Sequence, residues 1–283
     1  MNYIDPHAHM VSRTTDDYLL MARMGCVAVS EPAFWAGFDR SAAGFRDYFR
    51  HLTEVEPKRA AQYGIAHHSW ICINAKEAED VGLSRDVISF MPEFLDKPGV
   101  LGVGEIGLNK NTRNEAVVFN EQVDLAARLD KLILVHTPHL ADKYMGTRMI
   151  LDMLRLDSRI SAERVLIDHV EEHTIRLAKD AGHWCAMTLY PTTKCTPQRA
   201  ADMIERYGAD RIMVNSACDW GPSGPAVVRD FALEMKSRGH SDRVVRKVIF
   251  ENPIAFFRMS DGWTIADPAD EPSRSEEPAV AGR

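Results

Sequence analysis

Eight apolar, β-branched runs recur along this chain, spaced widely enough for a helix between each pair. That alternation narrows the fold more than any other feature. The runs are 2–5 (NYID), 26–32 (CVAVSEP), 64–74 (GIAHHSWICIN), 100–108 (VLGVGEIGL), 132–137 (LILVHT), 164–170 (RVLIDHV), 184–191 (WCAMTLYP) and 211–218 (RIMVNSAC). Between them lie stretches of helical period. One is 14–25, with Thr14 or Thr15 as N-cap and Gly25 as stop; another is 224–239, ending on Gly239. In 114–131, Val117, Val118, Val123, Leu125, Ala126 and Leu129 form one broad apolar face. Eight buried strands, each followed by a helix, predict a single-domain α/β fold, a (β/α)8 TIM barrel over residues 1–260. A doubly wound sheet shares the alternation, so the polar residues must decide.

In such a barrel the C-terminal strand ends converge on one mouth, where active-site groups project. Run one ends in Asp5, His7 and His9, run four in Glu105, and run five in His136. Run six ends in Asp168 and His169, and run eight leads to Asp219. Five independent runs therefore close on ionisable residues. Residues two apart on an extended chain point the same way, so His7 and His9 can reach one ion, with Asp5 as an orienting neighbour. Imidazoles suit zinc and other first-row ions, while carboxylates suit manganese or magnesium. Four histidines with Glu105 and Asp219 exceed the ligand set of one catalytic ion, and a carboxylate can bridge two ions about 3.5–4 Å apart.

Composition excludes little but bears on partners. The net charge is −7, from 34 Lys+Arg against 41 Asp+Glu, which argues against a broad basic face for nucleic acid. Residues 261–283 carry −4 of that charge, with three prolines and little periodic apolar content, and are expected to form a disordered tail. The five cysteines show no CxxC spacing and read as buried free thiols. With no signal segment and no long apolar run, a cytoplasmic protein without membrane contact is expected.

The chain resembles the TatD-like metal-dependent hydrolases of the amidohydrolase superfamily, which are (β/α)8 barrels. The matching stretches are IDPHAHM, GVGEIGLN, LVHT, DHV, CDW and ENPIAFF (251–257). The resemblance implies that His7, His9 and Asp219 hold one ion and that His136 and His169 hold a second, with Glu105 bridging. It also implies a metal-bound hydroxide as nucleophile, with Asp219 orienting the water or taking its proton. Two divalent ions, zinc first and manganese or magnesium next, are the expected cofactors. The pattern departs from the nuclease-like members at run three, where Asn74 and Ala75 replace a His-Pro pair, and at runs six and eight.

Residues on the loops at the mouth are the candidates for substrate contact: Trp35, Arg40, Asn74, His139 and Tyr190, with Lys76 and Lys194 behind them. His67 and His68 sit early in run three and read as packed residues. The expected function is a binuclear hydrolase of an ester, phosphoester, lactone or amide bond in a small molecule. A TatD-type deoxyribonuclease is the alternative within the family. A single-ion decarboxylase or deaminase has no need of Glu105, and a catalytically silent barrel serving as a binding partner has no need of an intact ligand set.

Overall fold

The computed structural model describes residues 1–34, 37–139, 141–190 and 192–265. Eight parallel strands form one sheet in sequence order: β1 (Tyr3–Asp5), β2 (Cys26–Pro32), β3 (Ala66–Ile71), β4 (Val100–Gly107), β5 (Leu132–His136), β6 (Val165–Asp168), β7 (Trp184–Thr188) and β8 (Ile212–Asn215). Helices fill the crossovers. The ends meet at the mouth, where Ala217 N–H donates to the His7 carbonyl at 2.7 Å and His9 N–H to that of Cys218 at 2.9 Å. The sheet is thus a nearly closed barrel, as the alternation predicts. Every expected run contains a strand. Runs three, seven and eight are longer than their strands; past the ladder Asn74 reaches Glu105, and Tyr190 and Ala217 line the mouth.

Local signals set the elements. Thr14 caps the helix Thr15–Arg23, its N–H donating to Asp17 Oδ2 at 2.9 Å, and Gly25 ends that turn at φ +94°. Thr112 and Glu115 form a capping box at the start of Arg113–Arg128. From this helix Gln122 reaches the end of β3, accepting from Ile73 N–H at 2.9 Å and donating to its carbonyl at 3.0 Å. The ENP stretch also has a packing role. Asn252 donates to the carbonyls of Ala209 and Ile212 and so pins the last helix to the start of β8.

The packed chain runs past the boundary expected at 260. Trp263 stacks on His68 with centroids 4.3 Å apart, and Thr264 N–H donates to His68 Nε2 at 3.3 Å. Trp263 and Ile265 both lie against the core. Two apolar side chains with a place to pack outweigh the acidic, proline-rich composition around them. The remainder of the expected tail, residues 266–283, lies outside the described residues. All five cysteines are buried free thiols, and among the described residues no helix is long and apolar enough to cross a membrane.

Candidate metal centre

The two ends of the barrel seam are tied by Asp5, whose Oδ1 accepts from Ser216 N–H at 3.1 Å and His7 N–H at 3.3 Å. Burial pushes its carboxyl up to about 6. Asp5 therefore fixes the backbone from which His7 and His9 project. His7 Nδ1 lies 2.5 Å from Asp168 Oδ2, leaving Nε2 3.0 Å from His9 Nε2.

Glu105 sits at an irregularity in the β4–β5 ladder. Gly104 is opposite Leu134 and Ile106 opposite Val135, so Glu105 has no ladder partner and turns into the mouth. Gly107 permits the tight approach of β5 here, since a Cβ on it would lie 1.9 Å from the His136 carbonyl oxygen. The two oxygens of Glu105 face different histidine pairs. Oε1 is 3.9 Å from both His7 Nε2 and His9 Nε2. Oε2 is 3.0 Å from His136 Nδ1 and 3.2 Å from His169 Nε2, and those two nitrogens are 3.1 Å apart.

His169 adopts a left-handed backbone, φ +58°, which breaks the strand's alternation. Asp168 and His169 consequently both reach the centre. A polar chain reaches Nδ1 of His169, where the Lys194 ammonium also lies, 2.9 Å away. Asn215 Nδ2 and the Thr188 hydroxyl both donate to Asp168 Oδ1, at 2.9 and 3.2 Å. With its proton so committed, Thr188 Oγ1, 2.6 Å from His169 Nδ1, would accept from that nitrogen in the tautomer that a metal on Nε2 requires. In that tautomer the lone pair on Nε2 faces Glu105.

These groups fit metal ions. His7, His9 and Glu105 form one cluster of potential ligand atoms, and Glu105, His136 and His169 another; His7, Asp168 and His169 form a third. Imidazole nitrogens about 3 Å apart beside a carboxylate share too few protons to satisfy all lone pairs, and His9 Nδ1 and His136 Nε2 are buried without partners. Burial holds His9, His136 and His169 below the usual histidine range. Burial opposes ionisation of Glu105, but His7 and His136 outweigh it and hold the carboxyl well below its usual range. In Asp168 burial is likewise overcome, by His169 and His7. Neutral imidazoles with ionised carboxylates are what a cation requires. His7 differs: Glu105 and Asp168 outweigh burial and raise it, so positive charge is favoured at that point.

The remaining predicted residues divide. Asp219 lines the same cavity of about 200 Å3 as His9, Glu105, His136 and His169, but it joins none of the ligand clusters found among the described residues. Its Oδ1 accepts from Tyr190 OH at 3.1 Å and Gly221 N–H at 2.8 Å. Tyr190 and His139 also line the cavity, with Phe34, Lys76, Thr193 and Lys194. Asn74, expected on substrate, instead donates to Glu105 Oε1 at 3.2 Å from a buried position. Arg40, also expected on substrate, is exposed, pairs with Glu77, and is not among the residues lining the cavity. Trp35 lies outside the described residues. His67 is packed as expected, 2.8 Å from Glu31 Oε2. In the sequence Asp168 stands at a strand end with no role of its own. An adjacent Asp-His pair closing a strand was the available signal, one residue to bind and one to orient. Nothing local marked Thr188 or Asn215.

A (β/α)8 barrel with four histidines and a buried glutamate converging at its C-terminal mouth defines a metal-dependent hydrolase. The chain belongs to the TatD family: the family model described as TatD related DNase matches residues 48–258, a span that begins after His7 and His9. An uncharacterised metal-dependent hydrolase of Methanocaldococcus jannaschii is 25% identical over 261 residues, 90% of this chain and 100% of that one. Among solved structures, a TatD-like protein of Archaeoglobus fulgidus matches with a TM-score of 0.74 and 26% identity, covering 90% of this chain and 100% of that one. The Escherichia coli phosphotriesterase homology protein, complexed with phosphate in its active site, shares the fold with a TM-score of 0.67 at 15% identity, covering 90% and 98%.

Proposed function

We propose that this hydrolase works with two divalent ions held across Glu105 and directs water onto an ester, phosphoester, lactone or amide bond of a small molecule. The observation that carries the reading is the placement of the Glu105 oxygens, one toward His7 and His9, the other toward His136 and His169. Those residues would hold the pair, with zinc favoured because four of the five are imidazoles. Bound ions supply a lowered water pKa and offset charge developing on the substrate. Asp219 accepts the proton of the attacking water, and Tyr190 with Gly221 N–H holds that carboxylate in place. Asp168 and Thr188 orient His7 and His169 from behind.

The cavity is small, and Arg40, Lys143 and Arg199 outside it are each mated with a glutamate. Both features suit a small substrate better than a long polyanion. Buried, unpaired thiols suit a reducing compartment, the cytoplasm. A nuclease is the second reading, supported by the family's description and by the phosphate in the Escherichia coli neighbour.

The test is metal content per chain, by elemental analysis, for the native protein and Glu105→Ala, followed by turnover of phosphoesters, lactones, amides and DNA. Two equivalents falling to one or none support the bridged pair. One equivalent, unchanged by the substitution, sinks it. DNA cleavage outrunning every small substrate moves the nuclease reading to the front.

A further inference from the structure

Lys194 contends for an atom that already has a partner. Its Nζ lies 2.9 Å from His169 Nδ1, the nitrogen that would donate to Thr188 Oγ1 with a metal on Nε2. A donor cannot accept. Once His169 serves as a ligand through Nε2, Nδ1 keeps its hydrogen and the Lys194 ammonium loses this contact. No other side-chain partner for its Nζ is found among the described residues. The ammonium is then left facing the cavity, hydrogen-bonded to no described side chain and near the charges of Glu105 and Asp168. Lys76 lines the same cavity from the loop after β3, its Nζ 4.6 Å from the centre of the Phe34 ring.

We propose that Lys76 and Lys194 form an anion clamp for the terminal dianionic phosphate of a phosphomonoester. The inference rests on the two-ion reading, which it narrows to one substrate class. With two divalent ions bound by the histidines and Glu105, their charge and that of the two ammonium groups would exceed the charge of Glu105, Asp168 and Asp219. A dianion balances that charge better than a singly charged diester, and far better than a neutral lactone. In the reaction the water oxygen bonds to phosphorus while the P–O bond to the alcohol breaks, its electron pair staying on the departing oxygen. Asp219 takes the proton given up by the water and returns it to that oxygen. Orthophosphate and the alcohol are released, and the two lysines hold the phosphoryl oxygens throughout.

The experiment titrates inorganic orthophosphate calorimetrically into manganese-loaded wild-type protein, Lys194→Met and Lys76→Met, with metal content measured on every sample. The expected result is a phosphate affinity weakened at least 10-fold in each variant at unchanged metal content. The wild-type preference for p-nitrophenyl phosphate over its bis-ester should shrink in parallel. Phosphate affinity unchanged in both variants overturns the clamp and leaves the two-ion reading intact. Loss of metal in Lys194→Met also overturns it, because the lysine would then be a support for His169. Fewer than two ions in the wild type is a different failure, that of the reading beneath.

Discussion

Asp168 Oδ2 and His7 Nδ1 lie 2.5 Å apart, both buried, joining the end of β6 to the segment after β1. The contact fixes which nitrogen of His7 is free: Nε2 faces His9 and Glu105. Carboxylates behind ligating histidines typically contribute 10–100-fold to metal affinity. Asp168→Asn keeps the shape and removes the charge, and is expected to weaken metal binding by about that factor. Competition with a chromophoric chelator measures it. Affinity equal to wild type would show that His7 needs no such support.

Asp219 separates two roles that the sequence alone could not. The resemblance makes it a ligand, yet its carboxylate is held by Tyr190 and Gly221 and belongs to no ligand cluster among the described residues. As a proton acceptor it should be dispensable for metal but not for turnover. Asp219→Asn is expected to keep its ions and lose roughly 10²–10⁴-fold in kcat. Elemental analysis beside steady-state kinetics distinguishes the cases, since a true ligand would lower metal content first.

Much of this was legible because buried parallel strands read as continuous apolar runs, and the polar residues closing them stand out. His7, His9, Glu105, His136 and His169 were each marked by a strand end. What binds them together was not marked. Asn74 touches Glu105, and Asp168 touches His7 across 161 positions, contacts that exist only once the barrel closes. Arg40 misled because an arginine on a mouth loop looks available until its pairing with Glu77 is seen. Trp263 was lost in the composition around it, where one aromatic ring among acids and prolines weighs little on average but much when His68 is there to receive it.

Removing metal should cost stability as well as activity. An ion bound only by the folded state stabilises by about 2.7 kcal/mol when present at a hundredfold its Kd. For a domain of this size that corresponds to roughly 5–10 °C in Tm per ion. Calorimetric scans before and after dialysis against a chelator should show a drop of this order, restored by zinc or manganese. In Glu105→Ala the chelator should have a smaller effect or none.

His68 gives a stability term that depends on pH and lies away from the metal ligands. It stacks on Trp263, and its Nε2 accepts the N–H of Thr264, so the neutral ring is the one that fits. Burial, with the neighbouring His67 charge, pushes its pKa down to about 3, against about 6.5 for an unfolded histidine. Above pH 6.5 both states are neutral and the contribution is complete. As pH falls from there toward 3 the unfolded chain binds a proton that the folded chain refuses, and stability is lost by up to about 1.4 kcal/mol per pH unit. His68→Phe keeps an aromatic face for Trp263 and removes the titration. Urea unfolding of the metal-free protein at pH 7, 6, 5 and 4 should therefore show a shallower loss in the variant by about that slope. Parallel curves for the two proteins would mean that His68 accepts its proton inside the fold.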